Sequence, residues 1–163
     1  MTASPLPDDA HVLIQDAYQY WLRIHPAPDR LPGRQHFDPL DIPHLLPHVW
    51  LVDVIRGEPP RFRYRIAGTA LNRSMGRSLT GQMMDDVNPD FYTVPEIAAP
   101  YIAMLSKPAP AYRKGAPLFA HNQQFRSLER LLLPLAGNGT ETDMLFCLTL
   151  FYLPDGSIIG SIT

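Results

Sequence analysis

Apolar and basic side chains alternate along residues 61–67, RFRYRIA. Because successive side chains of a strand point to opposite faces of a sheet, the pattern predicts a strand with Phe62, Tyr64 and Ile66 on one face. Residues 48–55, HVWLVDVI, are rich in β-branched and aromatic residues and predict a preceding strand. The five residues RGEPP between the two segments favour an antiparallel hairpin.

Short helices and turns are predicted after this hairpin. Residues 70–75 predict a short helix, and Gly76 is a natural helix end because glycine adopts left-handed backbone angles at low cost. Gly68 and Gly81 predict turns on either side of this helix. Residues 82–87 predict one further helical turn.

A longer helix and three strands are predicted for the rest of the chain. The apolar spacing of residues 91–105 fits a helix, which Pro95 and Pro100 are expected to kink or shorten. The strands are predicted at residues 110–117, 124–135 and 143–152. The last of these is apolar on both faces, which is typical of a strand at the centre of a sheet.

An amphipathic helix is predicted near the N-terminus. Asp8 or Asp9 is expected to cap it, since a short acidic side chain accepts hydrogen bonds from the free amides of the first turn. Apolar residues with helical spacing continue to Ile24, and Pro26 ends the helix. Such a helix either covers a core or forms a dimer contact, and the two roles are compatible. Residues 31–47 then form a connection with four prolines and a helical turn at Asp38.

Composition limits the classes of function. The 163 residues fit one domain, and a net charge of −2 gives no basic surface for nucleic acid or an anionic membrane. No signal peptide opens the chain and no apolar run is long enough for a membrane helix, so a cytoplasmic location is expected. We expect an N-terminal arm and helix over residues 1–30, the domain over 31–153 and a tail over 154–163.

Residues for metal or covalent chemistry are sparse. The single cysteine, Cys147, lies in an apolar run and is expected to be a buried, inert thiol rather than a nucleophile. His44 and His48 have a helical spacing for a metal, but Pro47 lies between them, so exposed or capping histidines are favoured. No nucleophile elbow, P-loop or dinucleotide motif is present. We predict no metal site and no catalytic residue.

The order of the predicted elements resembles that of a PAS domain. The similarity is closer to one branch, the small stand-alone bacterial PAS-fold proteins, mostly of unknown function. The shared residues are Tyr20–Trp21, LP-x-R at 31–34, DPxxIPxLLP at 38–47, RFxYRxxGT at 61–69, LTG at 79–81 and LPL at 133–135. They extend over about residues 17–152.

The resemblance implies an α+β fold, a PAS-like five-stranded antiparallel sheet with bridging helices and an N-terminal helix. It also implies a small-molecule site between the sheet and these helices, apolar with a few polar groups. The candidate ligand-binding residues are Tyr64, Arg65, Thr69, Met75, Tyr101, Met104, Leu133 and Phe146. In the alternative interpretation these residues simply fill the core.

Two cofactors of PAS-like folds are disfavoured. A heme held by a histidine of the long helix is disfavoured because no histidine lies between Trp50 and Ala120. A covalent flavin adduct needs a cysteine near the bridging helices, whereas Cys147 is in the last predicted strand. No cofactor is therefore predicted.

Three arginines alternate with the apolar residues of the second strand: Arg61, Arg63 and Arg65. They form a stripe of planar donors suited to carboxylate or phosphate. One interpretation is a solvated face paired with acids such as Asp53 or Glu129. In the other, Arg65 bonds the backbone of the 38–47 loop or an acidic group of a ligand.

We therefore expect a stand-alone sensory or signalling module that binds a small molecule and acts through contact with an unknown partner. The alternative is a non-ligand dimerisation or interaction module, a homodimer formed through the N-terminal helix or the sheet face. A third hypothesis, a small hydrolase or isomerase, needs a polar pocket with an Asp, Glu or His of strongly shifted pKa. We predict no enzymatic activity.

Overall fold

The structure, a computed structural model, describes residues 4–118 and 125–160. Five strands form one antiparallel sheet: Val49–Ile55 (β1), Arg61–Ala67 (β2), Ala111–Gly115 (β3), Ser127–Leu135 (β4) and Met144–Tyr152 (β5). Their spatial order is β2-β1-β5-β4-β3, so the last strand of the chain lies at the centre of the sheet, as predicted. The predicted α+β class with a five-stranded antiparallel sheet is confirmed.

The α-helices of the described residues are Val12–Arg23 (α1), Thr69–Met75 (α2), Met84–Val87 (α3) and Pro95–Ser106 (α4). Helices α2, α3 and α4 pack on one face of the sheet, whereas α1 packs on the other. The proline-rich connection before β1 makes three short 3-10 turns, Arg34–His36, Pro39–Asp41 and Leu46–His48. Asp38 caps the second turn by accepting a hydrogen bond from the Leu40 amide at 3.0 Å, so the helical turn predicted there is confirmed.

Alternation along β5 divides the core in two. Cys147 and Phe151 belong to the cluster formed with α2–α4, and we call this side of the sheet the α4 face. Phe146 and Leu148 belong to the cluster formed with α1, on the side that we call the α1 face. Because paired strands share their faces, the register of β5 with its neighbours decides which side each of their residues meets.

Helix α1 is an integral part of the core. Ile14, Ala17, Tyr20 and Trp21 are buried, and the Trp21 indole Nε1 donates to the carbonyl oxygen of Pro134 at 2.9 Å. The buried indole therefore keeps a partner for its N–H group. Of the two roles predicted for this helix, core cover is confirmed and the dimer contact stays a prediction.

The cap of α1 is His11, and the prediction of Asp8 or Asp9 is wrong. The His11 Nδ1 atom accepts a hydrogen bond from the Leu13 amide at 3.0 Å. The two aspartates lie in a turn before the helix. An acceptor directly beside the first helical turn satisfies its free amides, and here an imidazole takes the place of the usual short acid.

A buried carboxylate joins this end of α1 to the sheet. Glu129 of β4 accepts hydrogen bonds from the His11 amide at 3.0 Å, the Tyr112 hydroxyl at 2.8 Å and the Tyr152 hydroxyl at 2.6 Å. Three donors compensate for the removal of the carboxylate from water. Burial, and next the hydrogen bond to Glu129, raises the pKa of both tyrosines, so their hydroxyls remain donors.

One predicted orientation in β2 is wrong. Phe62 and Tyr64 are buried as expected, but a bulge leaves Arg65 as an extra residue between the paired positions Tyr64 and Ile66. An extra residue reverses the alternation beyond it. Ile66 is therefore exposed, whereas Ala67 packs against the core of the α4 face.

The long helix begins at Pro95, not at Phe91. Residues 89–93 form turns instead. Proline fits the first helical position because an amide there has no partner within the helix. Pro95 therefore starts α4 rather than kinking it, while Pro100 lies inside the helix.

The remaining boundaries differ from the predictions at the strand ends. His48 belongs to the last 3-10 turn, so β1 begins at Val49. The predicted start of the fourth strand, Gln124, lies outside the described residues, as do the first three residues of the predicted N-terminal arm and residues 161–163 of the predicted tail. Residues 154–160 fold back on β5, where the Ile159 amide donates to the Phe151 carbonyl oxygen at 2.9 Å.

Two glycines shape the corner between β2 and α2. A Cβ atom on Gly68 would lie 2.4 Å from the carbonyl oxygen of Pro47 and 2.5 Å from that of Leu46, so only glycine fits against the proline-rich connection. Gly76 ends α2 with φ 74°, the left-handed conformation predicted for it.

Replacing Trp21 with alanine should lower the free energy of unfolding by about 3–5 kcal/mol, because a large buried side chain leaves a cavity. Urea denaturation measures the change. Leu22→Ala, at the adjacent exposed position, is the control and should cost less than about 1 kcal/mol. A Trp21→Ala protein as stable as the natural chain would contradict the role of α1 as part of the core.

A second prediction concerns His48, which is buried rather than exposed or capping. Burial, and next the nearby His11, lowers the pKa of His48 from its usual 6.5. Below pH 6.5 the unfolded chain therefore binds more protons than the folded chain. The free energy of unfolding falls as the pH drops from 6.5 towards the lower pKa that His48 has in the folded chain. His48→Leu should flatten the decline measured by urea denaturation between pH 7 and pH 5. The prediction would be refuted if stability declined with pH equally steeply in the natural chain and in the His48→Leu variant.

Candidate functional site

A cavity lies between the sheet and helices α2–α4. Its volume is about 70 Å³, roughly half that of the ~150 Å³ protein cavity that holds benzene. All five strands and all three of these helices contribute to its walls. The lining residues are Trp50, Tyr64, Leu71, Met75, Met84, Val87, Asn88, Phe91, Ile97, Tyr101, Arg113, Leu118, Leu128, Arg130, Thr149 and Phe151. Apolar and aromatic side chains predominate, and the polar ones are few.

Polar residues form a row across the floor of this cavity. Arg113 of β3 is opposite Arg130 of β4, and Arg130 is opposite Thr149 of β5. Directly opposite residues of paired strands share a face of the sheet, so these side chains stand side by side. The Trp50 indole Nε1 extends the row by donating to Thr149 Oγ1 at 2.9 Å.

Arg130 carries a buried donor that has no partner. Within the described residues, its Nε atom is buried and makes no hydrogen bond. Its guanidinium carbon lies 5.5 Å from the centroid of the Tyr101 ring, a distance suited to a cation–π contact. This contact stabilises the cation but leaves the Nε–H group unpaired, which is costly in a buried position.

No acid neutralises the two arginines. In the described part of the chain, no Asp or Glu oxygen lies within 4.0 Å of Arg113 or Arg130. The other positions, residues 1–3, 119–124 and 161–163, include no Asp or Glu. The charges on the cavity floor are therefore not offset by an acidic side chain.

Arg113 is held beside Arg130 by a neutral group. Its Nη2 atom donates to the Ala116 carbonyl oxygen at 2.6 Å, which positions the side chain without neutralising it. Burial, and next the positive charge of Arg130, lowers the pKa of Arg113. Like charges directly opposite each other on paired strands destabilise a sheet. The cavity thus combines a positively charged floor with largely apolar walls.

The two tyrosines of the cavity stay protonated at neutral pH. Burial raises the pKa of Tyr101 to about 12, although the charge of Arg130 counteracts part of the shift. Burial also raises the pKa of Tyr64. Both residues therefore present hydroxyl groups rather than phenolates. Cys147 is buried below them, and burial raises the pKa of its thiol, as expected of an inert cysteine.

Three of the residues predicted to bind a ligand line the cavity: Tyr64, Met75 and Tyr101. Met104 is buried in the same core cluster but is not part of the cavity wall. Its carbonyl oxygen accepts a hydrogen bond from the Thr142 hydroxyl at 2.8 Å, which ties the end of α4 to the loop before β5. Contact of these residues with a ligand stays a prediction.

Four other predicted residues do not reach the cavity. Leu133 and Phe146 lie on the α1 face. Side chains alternate between the two faces along a strand, and each of these residues is next to one that faces α4. Thr69 is exposed at the start of α2. Arg65 is exposed at the bulge of β2.

The arginine stripe of β2 is paired with acids. Arg61 donates to Asp85 through Nε and Nη2 at 3.0 to 3.2 Å, and Arg63 Nη2 donates to Asp53 Oδ2 at 2.9 Å. Arg65 Nη1 lies 3.8 Å from the same Asp53 oxygen. These pairs agree with the interpretation of the stripe as a solvated face rather than a ligand site.

The sequence-based prediction of the site did not include the two arginines of the cavity floor, although the alternation along β4 indicates the position of one of them. Leu128, Arg130 and Leu132 alternate along β4, and both leucines face α4. A charged residue between two core positions therefore points into the same core. The position of Arg113 had no local signal, because it depends on the pairing of β3 with β4.

Metal-binding side chains are not assembled in the part of the chain that the structure describes. It contains no group of three or more His, Cys, Asp or Glu residues placed to hold a metal ion. His44 Nε2 lies 3.2 Å from Asp16 Oδ2 on α1, whereas His48 is buried at the start of β1. The expectation that no metal, heme or flavin is bound stays a prediction.

Within the described residues, no helix combines the length and apolarity needed to span a membrane.

The described chain combines an antiparallel sheet in the order β2-β1-β5-β4-β3 with helices that enclose a cavity on one face. A family model of the PAS domain matches residues 10–149. The chain therefore belongs to the PAS domain family, which confirms the resemblance seen in the sequence. Domains of this family generally act as sensors or interaction modules rather than as enzymes. No curated protein and no solved structure matches the chain.

Replacing Arg130 with methionine should raise the free energy of unfolding by about 1 kcal/mol in anion-poor buffer. Removal of an uncompensated charge from a largely apolar site is favourable when an apolar side chain of similar length replaces it. Urea denaturation measures the change. Arg126→Met, at an exposed position near the start of β4, removes the same charge and should change stability by less than about 0.5 kcal/mol. A destabilised Arg130→Met protein would show that the arginine is structural.

Proposed function

We propose that this PAS domain is a sensory module that binds a small molecule in the cavity between the sheet and α2–α4 and acts through contact with a partner protein. The observation that carries the proposal is the unpartnered Nε of Arg130 at the cavity floor. A buried donor without a partner costs free energy, and a ligand that supplies an acceptor removes that cost.

The shape of the site supports binding. Ligand sites are concave and mostly apolar, with a small number of polar groups that fix orientation. Here the walls come from Leu71, Phe91, Ile97 and similar residues, while the polar groups are gathered in one row on the floor. The apolar walls would contact the carbon atoms of a ligand, and the polar row on the floor would bind its polar group.

The site offers little to an enzyme. Among the described residues, those that line the cavity include no Asp, Glu or His. Burial raises the pKa of Tyr101 to about 12 and also raises the pKa of Tyr64, so both tyrosines keep their protons at neutral pH. General acid–base catalysis works best with a group whose pKa lies near the operating pH. The cavity therefore favours binding over hydrolysis or isomerisation.

The second hypothesis, a homodimer through the sheet face, meets a steric obstacle. The α1 face is already covered by α1 of the same chain, through Tyr20, Trp21 and neighbouring residues. A partner would have to use the outer side of α1, where Val12 and Leu22 are exposed. Deleting residues 1–25 would uncover this core, so that deletion does not separate a dimer contact from folding.

The proposed binding is tested by filling the cavity. Val87→Phe adds a ring at a lining position of α3, and we expect it to abolish the thermal shifts that metabolites produce in the natural chain. Ligand that copurifies with the natural chain should also be released on denaturation and detected by mass spectrometry, and should be absent from the variant.

Val12→Phe is the matched control, because Val12 is 59% exposed on α1. It should keep both the thermal shifts and any copurified molecule. Failure of the natural chain to release a small molecule, together with no thermal shift across a library of neutral, anionic and cationic metabolites, would refute the proposed function.

A further inference from the structure

We infer that the ligand of this cavity is a small carboxylate of about two to three carbon atoms, whose carboxylate group is bound by Arg113 and Arg130. The inference rests on the proposed function, because it names the chemical class of the ligand of the same site.

Charge is the first argument. Arg113 and Arg130 are directly opposite each other on β3 and β4, and no acidic side chain of the described residues lies within 4.0 Å of either. An anion between them would replace a repulsion with two attractions. Arginine suits this role because its planar guanidinium presents two parallel donors to the two oxygens of a carboxylate.

Hydrogen-bonding capacity is the second argument. The buried Nε of Arg130 is unpartnered in the described residues, and the edge of the guanidinium that contains Nε is one of those that bind carboxylate. Thr149 Oγ1 already accepts a hydrogen bond from Trp50, so its own hydroxyl hydrogen remains free to donate. The floor thus places side chains with donor groups next to one another on three adjacent strands.

Size is the third argument. The cavity has a volume of about 70 Å³, whereas a cavity that holds the six carbons of benzene measures about 150 Å³. Half of that volume corresponds to about three carbon atoms. The apolar walls favour a ligand with a hydrocarbon part over a hydrated inorganic anion, because phosphate or sulfate would turn polar oxygens towards Leu71 and Ile97.

The experiment measures binding of acetate, propionate and pyruvate by thermal shift and by tryptophan fluorescence. The chain has two tryptophans. Trp50 lines the cavity, whereas Trp21 lies on the α1 face, so a Trp21→Phe background reports on Trp50 alone. Acetamide and propionamide serve as uncharged ligands of matched size. Inorganic phosphate and chloride, at equal ionic strength, serve as anions without a hydrocarbon part.

We expect at least one carboxylate to bind saturably and at least tenfold more tightly than its amide or inorganic phosphate. Arg130→Met and Arg113→Met should each weaken that binding at least tenfold. Arg130→Lys should weaken it less, since lysine keeps the charge but lacks the planar pair of donors. Arg126→Met should bind as the natural chain does, because this arginine is exposed outside the cavity.

The outcomes separate this inference from the proposed function. Carboxylate binding that survives Arg130→Met and Arg113→Met unchanged would overturn the inference, as would equal binding of carboxylate and amide. Thermal shifts by uncharged or cationic compounds only, abolished by Val87→Phe, would overturn the inference and leave the proposed function standing. If Arg130→Met does not fold, Arg113→Met and Arg130→Lys decide the question by the same criterion.

Discussion

The constraint on which this structure depends is the burial of β5 on both faces. A strand that is apolar on both sides needs cover on both, and the chain supplies it from opposite ends of its sequence. Helix α1, before the first strand, covers one face, and α2–α4, between the second and third strands, cover the other. The second cover consists of three separate helices, and the cavity lies between them and the sheet, with Tyr101 and Thr149 among its lining residues.

The two faces differ in how they treat buried charge. On the α1 face, Glu129 is surrounded by three donors that satisfy its carboxylate, so the charge helps to hold α1 on the sheet. On the α4 face, Arg130 contacts the Tyr101 ring and Arg113 donates to a carbonyl oxygen, but neither has an Asp or Glu partner among the described residues. A satisfied charge is structural, whereas an unsatisfied one lowers stability and is retained where a ligand completes it. This contrast is the reason for proposing the ligand site on the α4 face.

Local patterns predicted the strands well and the lining of the cavity only in part. The alternation of β2, the stop at Gly76 and the apolar run of β5 each depend on a few adjacent residues, so their structures followed from the sequence. Ile66 was misplaced because the bulge at Arg65 arises from pairing with β1. Leu133 and Phe146 were assigned to the site without a fixed register, and one residue of difference moves a side chain to the opposite face. Arg113 and Arg130 meet only through the pairing of β3 with β4.

The adjacent residues Glu129 and Arg130 carry a negative and a positive charge on the same strand, β4. Side chains of consecutive strand residues point to opposite faces, so β4 contacts α1 through Glu129 and the cavity through Arg130. A ligand that draws Arg130 towards Arg113 acts on the same backbone that carries the acceptor for the His11 amide. The N-terminal end of α1 is bound there through the His11 amide and the buried Ile14, and the C-terminal part of the helix is held by the buried Trp21. Displacement of β4 would therefore reach α1 directly through the hydrogen bond between Glu129 and the His11 amide.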